Sequence, residues 1–197
     1  MTDPLGDIRT SYDTVATAYA DRVQDGPDFE PAALDLFAKL TSGLVLDVGC
    51  GPGRVVGLLH DRGLPVIGID LSPRMIEVAR RDHPGLDYRV GSMTDLDLPD
   101  GELTGIISWW SIIHLPRDVL PHAFAEFHRV LAPGGILLMG FHVGTDTTHK
   151  TSGYGGLPMN VHVHRWQHEA LTEIAVAAGL TPYPEPEIPQ DCLLFRK

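Results

Sequence analysis

Cysteines, long apolar runs and clusters of basic residues are scarce or missing in this chain of 197 residues. Only Cys50 and Cys192 occur, and Cys50 lies in a glycine-rich turn that a disulfide would obstruct, so we expect both to be free thiols. No apolar run approaches the roughly 20 residues that a membrane-spanning helix requires, and residues 1–10 do not form an apolar leader. The expectation is a cytoplasmic protein without membrane contact.

The charge balance is acidic, with a formal net charge of −11 at neutral pH. No cluster of lysine and arginine could neutralise several successive phosphates, so the sequence predicts no nucleic-acid partner. Hydrophobic residues make up 43% and charged residues 21%, which is typical of a globular protein. Because no internal repeat or flexible linker interrupts the chain, residues 1–197 are predicted to form a single domain.

Apolar runs of strand length alternate with stretches of helical period along most of the chain. This alternation is typical of an α/β fold, in which helices cover both faces of a mostly parallel sheet. The seven predicted strands cover residues 44–48, 65–69, 88–90, 105–109, 135–141, 181–183 and 192–195. The six predicted helices cover residues 11–23, 31–40, 54–61, 73–82, 118–131 and 167–178.

Two segments are expected to cover the sheet edge where ligands enter open α/β folds. Residues 144–166 are rich in glycine, threonine and histidine and follow the fifth predicted strand, so they are expected to form a lid or a substrate wall. Residues 1–40 are expected to form an N-terminal helical cap. Since little chain is left for a substrate pocket, the predicted substrate is a small molecule.

The most informative motif is a buried strand that runs into three glycines at alternating positions, 49, 51 and 53, and then into a helix. Glycines there permit positive φ and a close approach of a ligand to the backbone, while the helix offers free N–H groups to an anion. A strand-to-helix turn could also need glycines for its own geometry. A dinucleotide fingerprint would place its third glycine at position 54, where this chain has Arg54.

The sequence Asp-Val-Gly-Cys-Gly-Pro-Gly at residues 47–53 resembles motif I of the class I methyltransferases. This resemblance implies a Rossmann-like sheet and S-adenosylmethionine as the cofactor. It also implies that Gly49, Gly51 and Gly53 lie along the methionine part of the cofactor, with Asp47 near its ammonium end.

A second and a third segment agree with this reading. Asp70 ends the second strand, where a carboxylate can accept two hydrogen bonds from a ribose diol, although it could also only begin a helix cap. Leu71 and Met75 would flank the adenine or serve as core residues. Ser92 and Met93 match the family's adenine-binding turn after the third strand.

The exit of the fourth strand is expected to hold the reaction centre. Trp109 and Trp110 could surround a sulfonium or ammonium cation, the former counted with the cofactor and the latter with the substrate, or either could be plain core. His114 is the candidate general base, because its ordinary pKa suits proton transfer near neutrality. The alternative is that His114 only hydrogen-bonds to the substrate or the backbone.

Further candidates come from both ends of the predicted domain. Tyr12 and Tyr19 resemble the family's leading helix, whose tyrosines close over the cofactor. His142, His162 and His164 are expected to contact the substrate. Histidines at this spacing could also bind a metal ion, but the sequence shows no third ligand with supporting carboxylates, so no metal is predicted.

The resemblance therefore implies methyl transfer from S-adenosylmethionine to an oxygen or nitrogen of a small molecule by in-line displacement. The fourth strand lacks the Asn/Asp-Pro-Pro-Tyr/Phe pattern of relatives that methylate DNA bases. Two alternatives stay open: a protein that binds S-adenosylmethionine without transferring the methyl group, and an NAD-dependent oxidoreductase. A monomer or a homodimer is expected.

Overall fold

A computed structural model describes residues 3–24, 31–186 and 188–197 of the chain. Residues 1, 2 and 25–30 of the predicted N-terminal cap therefore lie outside the described residues. None of the described helices combines the length and the apolar character that crossing a membrane requires. The cytoplasmic location stays a prediction.

Seven strands form one sheet in the order β3-β2-β1-β4-β5-β9-β8. All neighbouring pairs up to β5 are parallel, and β9 pairs antiparallel with both β5 and β8. The strands are β1 (Val45–Val48), β2 (Val66–Asp70), β3 (Asp87–Val90), β4 (Leu103–Trp109), β5 (Leu131–Gly140), β8 (Thr181–Pro182) and β9 (Cys192–Arg196). The seven-stranded, mostly parallel sheet predicted from the sequence is confirmed.

Six α-helices and one short 3₁₀ helix connect these strands. They are α1 (Pro4–Gln24), α2 (Pro31–Leu40), α3 (Arg54–Asp61), α4 (Pro73–Asp82), the 3₁₀ helix (Ile112–His114), α5 (Leu120–Val130) and α6 (His168–Ala177). Helix α1 starts seven residues before its predicted first residue, 11. Helix α4 begins as expected, because the Ser72 hydroxyl accepts a hydrogen bond from the Met75 amide at 3.1 Å.

The core lies on both faces of the sheet. Leu46 and Val48 of β1 pack in one cluster with side chains of α5 and α6, such as Phe124. Val45, the residue before Leu46, points to the other face and packs in a second cluster with side chains of α2 and α3, such as Phe37. This alternation follows from the two-residue period of a strand. The helices therefore cover both faces, as predicted.

The segment 144–166 contains a β-hairpin that the prediction missed. Its strands, β6 (Thr147–Gly153) and β7 (Leu157–His164), pair antiparallel in a sheet of their own. Met159 and Val161 of β7 are buried and cluster with Val15 of α1. The short alternation Met-Asn-Val-His-Val-His at 159–164 was the available signal, and the neighbouring glycines and threonines hid it. The hairpin covers α1 beside the carboxyl ends of the strands.

Candidate active site

A crevice opens at the carboxyl ends of β1, β2 and β4, where the order of the strands reverses. It consists of a smaller cavity and a larger one of about 830 Å³, a size typical of ligand sites, which span roughly 300–1,000 Å³. Seven residues line both cavities and so join them into one site. They are Tyr12, Tyr19, Gly49, Gly51, Trp109, Trp110 and His114. All seven were predicted site residues.

The glycine loop after β1 bends sharply, with φ of 74° at Gly49 and 52° at Gly51. A Cβ at Gly49 would come within 2.3 Å of the Ser111 Cβ, so this glycine lets the 3₁₀ segment pack on the loop. A Cβ at Gly51 would meet only Tyr19, at 3.8 Å. Gly51 therefore presents its backbone openly to the crevice.

Gly53 differs from the other two glycines of the motif. Its φ is 86°, and a Cβ there would lie 2.4 Å from the Tyr88 hydroxyl oxygen. That hydroxyl also donates a hydrogen bond to the Gly53 carbonyl at 3.2 Å. Gly53 does not line either cavity of the crevice. The structure thus places Gly53 against β3 rather than along the cofactor site, because the chain has already turned into α3.

Two acidic side chains lie near the carboxyl ends of neighbouring strands, Asp47 as the last residue but one of β1 and Asp70 as the last residue of β2. The Asp70 carboxylate lines the smaller cavity and accepts hydrogen bonds from the amides of Gly51 and Ser72, both at 2.8 Å. Burial raises the pKa of Asp70 to about 6. Asp47 lines the larger cavity, and its Oδ2 is buried without a hydrogen-bond partner among the described residues. Burial raises the pKa of Asp47 well above its usual range, and Asp70 adds to that rise.

The smaller cavity gathers the residues predicted for the adenine. Leu71, Met75, Ser92 and Met93 all line it. Met75 is buried, whereas the other three are half-buried. The Ser92 hydroxyl is hydrogen-bonded to the Thr94 hydroxyl at 2.8 Å, which closes the turn after β3. An apolar slot with one polar edge is thus present beside Asp70.

Helix α1 is held over the crevice by hydrogen bonds to the carboxylate of Asp13. The Asp13 carboxylate accepts hydrogen bonds from the Ser72 hydroxyl at 2.6 Å and from the Arg74 amide at 3.2 Å. These bonds fix α1 against the start of α4. Tyr12 and Tyr19, whose ring centroids lie 6.0 Å apart, consequently face the crevice side by side.

His114 has a defined tautomer. Its Nδ1 lies 3.0 Å from the His162 carbonyl oxygen, which can only accept, so Nδ1 carries the hydrogen. Its Nε2 therefore accepts a hydrogen bond from the Tyr12 hydroxyl at 2.6 Å. Burial lowers the pKa of His114 to about 4. The imidazole is accordingly neutral throughout the neutral pH range.

The two tryptophans at the exit of β4 lie edge to face, with centroids 6.1 Å apart. Trp110 adopts a left-handed backbone conformation with φ of 54°, which is rare for a bulky side chain. Its ring lies 4.7 Å from the His142 ring, and both line the larger cavity. Trp110 and His142, both expected to contact the substrate, thus lie side by side in one cavity.

His162 and His164 do not line the crevice, contrary to their expected role. On β7 the inward positions are Met159, Val161 and Val163, so the alternate residues His162 and His164 project from the opposite face. There the His162 ring stacks on the His149 ring at 4.6 Å. Only the backbone carbonyl of His162 reaches the site. Among the described residues, no group of three or more potential ligands is placed to hold a metal ion.

Several lining residues were missed by the sequence reasoning. Ser111 carried no local signal, because its place depends on the fold of the 3₁₀ segment. The others lie in the larger cavity and come from α1, the hairpin and the chain before β9, which are distant in sequence. They include Arg22, Lys150, Tyr154 and Asp191.

The residues present fit S-adenosylmethionine. The unpartnered oxygen of Asp47 offers an acceptor to an ammonium group, the open face of Gly51 admits a close ligand, and Asp70 offers a carboxylate that could accept hydrogen bonds from ribose hydroxyls. Together with the sheet order and the antiparallel β9, this crevice defines the Rossmann-like methyltransferase class.

Comparisons with known proteins agree with that class. Residues 45–135 match the family model described as a methyltransferase domain. A malonyl-[acyl-carrier protein] O-methyltransferase of Serratia marcescens is 36% identical over 94 residues, which cover 48% of this chain and 36% of that protein. A probable S-adenosylmethionine-dependent methyltransferase of Mycolicibacterium smegmatis is 32% identical over 136 residues, covering 68% of this chain and 51% of that protein. The chain thus spans about half or less of these relatives.

A solved structure supports the fold. The 1,6-didemethyltoxoflavin-N1-methyltransferase of Burkholderia thailandensis, crystallised with its substrate and S-adenosylhomocysteine, has a TM-score of 0.78 at 20% identity. The match covers 100% of this chain and 91% of that one. The chain belongs to the class I S-adenosylmethionine-dependent methyltransferases. This family membership contradicts the alternative interpretation of the chain as an NAD-dependent oxidoreductase.

Proposed function

We propose that this chain transfers a methyl group from S-adenosylmethionine to an oxygen or nitrogen atom of a small molecule. The observation that carries the proposal is that a neutral imidazole, His114, lines the same crevice as the residues suited to the cofactor. The relatives named above act on different acceptors, so the identity of this acceptor is not transferred from them.

The cofactor would be held along the glycine loop. Asp47 would receive the ammonium group, Gly49 and Gly51 would approach the methionine part, and Asp70 would bind the ribose hydroxyls. When bound, S-adenosylmethionine supplies an electrophilic methyl group on a positively charged sulfur. The protein's own task is then to align the acceptor, exclude water and remove a proton where one must leave.

His114 is the proposed proton acceptor. Its Nε2 carries the lone pair, because Nδ1 donates to the His162 carbonyl. An acceptor O–H reaches Nε2 by displacing the Tyr12 hydroxyl or by passing its proton through it. Trp110 and His142 form the wall beside this position and help to exclude water. The pocket is bounded by α1, the hairpin and the exit of β4, and this enclosure favours a small acceptor.

Calorimetric titration tests the cofactor assignment. S-adenosylmethionine and S-adenosylhomocysteine are expected to bind at about micromolar strength, and NAD is expected to show no saturable binding. Release of S-adenosylhomocysteine is then measured with a panel of small alcohols, phenols, acids and amines. Tight cofactor binding without product from any compound would favour the alternative of a binding protein that does not transfer methyl groups. Saturable NAD binding would contradict the assignment.

Replacing His114 by asparagine tests the proposed base. With an acceptor that must lose a proton, the rate of S-adenosylhomocysteine release should fall by about 10² to 10⁴, the usual contribution of a positioned base. The affinity for S-adenosylhomocysteine should stay nearly unchanged. His60→Asn, at the exposed end of α3, is the matched control. An unaltered rate in His114→Asn would mean that alignment alone suffices.

A further inference from the structure

Three cationic residues, Arg22, Arg54 and Lys150, line the larger cavity, and Arg22 and Lys150 are the two considered as a pair. Arg22 comes from the last turns of α1, and Lys150 comes from β6. Within the described parts of the chain neither forms an ion pair, whereas six arginines pair with acidic residues elsewhere. Lys150 is one of only three lysines in the sequence. Its position inside a cavity is therefore unusual for this protein.

The Lys150 side chain is held in place. Its ammonium nitrogen lies 4.2 Å from the centroid of the Tyr154 ring. A Cβ at Gly153 would come within 2.9 Å of the Lys150 Cε, so this glycine leaves room for the lysine to fold inward. Tyr154 itself has φ of 47°. It shares this left-handed conformation with one other described non-glycine residue, Trp110, which lines the same cavity.

Such backbone conformations are unfavourable for aromatic residues and occur most often at ligand sites, where the surrounding structure holds them. The centroids of the Tyr154 and Tyr19 rings lie 4.9 Å apart. The Tyr154 ring therefore contacts both Tyr19 and the ammonium group of Lys150. Tyr154, in the turn between β6 and β7, thus holds the ammonium group of Lys150 from β6 at the cavity wall.

The electrostatics of this corner are unbalanced. Burial lowers the pKa of Lys150, and the nearby Arg22 lowers it further. Asp191, an acid of the same cavity, interacts instead with His142: burial lowers the pKa of His142, and Asp191 opposes that shift. Burial raises the pKa of Asp47, another acid of this cavity, well above its usual range. Two positive groups therefore repel each other here, in a protein whose net charge is −11.

We propose that Arg22 and Lys150 form a subsite for an anionic group, a carboxylate or a phosphate, of the methyl acceptor. The guanidinium suits two-pronged recognition of such a group and the ammonium adds a point charge. This inference rests on the proposed function and names the acceptor class as small organic acids or phosphate esters. The other end of the acceptor would then extend toward His114, which lines the same cavity.

The cofactor also carries a carboxylate, which Arg22 and Lys150 could bind instead of the acceptor's anionic group. A first experiment distinguishes these two ligands. S-adenosylhomocysteine and 5′-methylthioadenosine, which lacks the amino-acid part, are titrated into wild type, Lys150→Met and Arg22→Met. Both affinities should stay within about threefold of wild type. A loss of more than about tenfold for S-adenosylhomocysteine alone would assign the pair to the cofactor and overturn the proposal. Lys39→Met, on the exposed side of α2, is the control.

The second arm detects the anion without catalysis. With S-adenosylhomocysteine saturating, acetate and inorganic phosphate are titrated while the amide NMR signals of residues 150–154 are followed. Saturable shifts are expected in wild type and Lys39→Met and not in Lys150→Met. Their absence in wild type would overturn the subsite while leaving the proposed methyl transfer intact.

The third arm uses turnover. Acids and their neutral amides are compared as acceptors by release of S-adenosylhomocysteine. Lys150→Met should raise KM at least tenfold with little change in kcat, and Lys150→Arg should recover most of the loss. Equal turnover of neutral amides would contradict the subsite. Failure of every compound, with anion binding retained, would instead count against the proposed function.

Discussion

Asp70 connects the glycine loop to the first turn of α4 through its two carboxylate oxygens. This single side chain therefore shapes the backbone of the site and stands where a ribose is expected. Because burial raises its pKa to about 6, its charge depends on pH within an accessible range. Residue-scale chemistry at Asp70 thus affects both ligand binding and folding.

The affinity for S-adenosylhomocysteine should fall as the pH is lowered through about 6, by up to about tenfold per pH unit, because a protonated carboxyl accepts hydrogen bonds poorly. Without ligand, the free energy of unfolding depends on pH in the opposite direction. The folded protein keeps the Asp70 proton at pH values where the unfolded chain has already lost it. The Asp70 contribution to the free energy of unfolding therefore falls as the pH rises from about 4 to about 6. Calorimetry and denaturant unfolding across pH measure the two effects.

Asp70→Asn should weaken S-adenosylhomocysteine binding more than about tenfold at pH 8 and remove the step near pH 6. Asp61→Asn, at the exposed end of α3, should preserve both. If the step persisted in Asp70→Asn, the titrating group would be another acid of the crevice, such as Asp47.

Replacing Gly51 and Gly53 of the motif by alanine should have different effects, one on ligand binding and the other on stability. Gly51→Ala should mainly weaken S-adenosylhomocysteine binding, since its Cβ would project into the crevice. Gly53→Ala should mainly lower the free energy of unfolding, by roughly 1–3 kcal/mol, since its Cβ would collide with Tyr88. Titration and denaturant unfolding of both variants provide the comparison. A loss of binding confined to Gly53→Ala would restore the cofactor role expected from the motif.

At the scale of elements, the hairpin β6–β7 and α1 form one side of the site. Met159 and Val161 pack against Val15, while the carbonyl of His162 holds His114. The crevice therefore depends on a contact between segments that lie about 150 residues apart, as the hydrogen bond from the Asn160 amide to the Ser11 hydroxyl also shows, at 2.8 Å.

Val161→Ala should lower the free energy of unfolding by roughly 1–3 kcal/mol, because it leaves a cavity under α1. Val176→Ala makes the same chemical change at a side chain of α6 that is 51% exposed, and should cost less than about 0.5 kcal/mol. Hydrogen exchange in α1 should quicken in Val161→Ala and not in Val176→Ala. Equal effects of both variants would show that the hairpin does not brace α1.

At the scale of the whole molecule, cofactor binding should stabilise the fold, because the crevice joins β1, β2, β4 and α1. S-adenosylhomocysteine at about 100 times its Kd should add about 2.7 kcal/mol, or roughly 5–10 °C in Tm for a chain of this size. Differential scanning fluorimetry measures the shift. No shift with S-adenosylhomocysteine, or an equal one with NAD, would contradict the proposed ligand.

The expected absence of a nucleic-acid partner and the expected monomer or homodimer remain predictions about the whole molecule. The net charge of −11 supports the expected absence of a nucleic-acid partner but says nothing about the oligomeric state. Sedimentation with and without S-adenosylhomocysteine is the direct measurement of the oligomeric state.

Local sequence signals predicted the seven strands of the main sheet and the glycine-loop side of the crevice. Gly49, Gly51, Asp70 and Met75 were predictable because strand, turn and helix signals are local, and motifs of a few residues specify both backbone and ligand contact. His114 was also predictable, as a histidine at the exit of β4.

The side of the crevice formed by α1 and the hairpin could be known only from how distant segments pack together. The hairpin's inward face, the tautomer of His114 and the meeting of Arg22 with Lys150 depend on how β7 packs against α1. Contacts between distant segments have no local sequence signal, since burial of their apolar faces selects the register. The same packing turned His162 and His164 away from the crevice, because a strand's alternate residues must point to opposite faces.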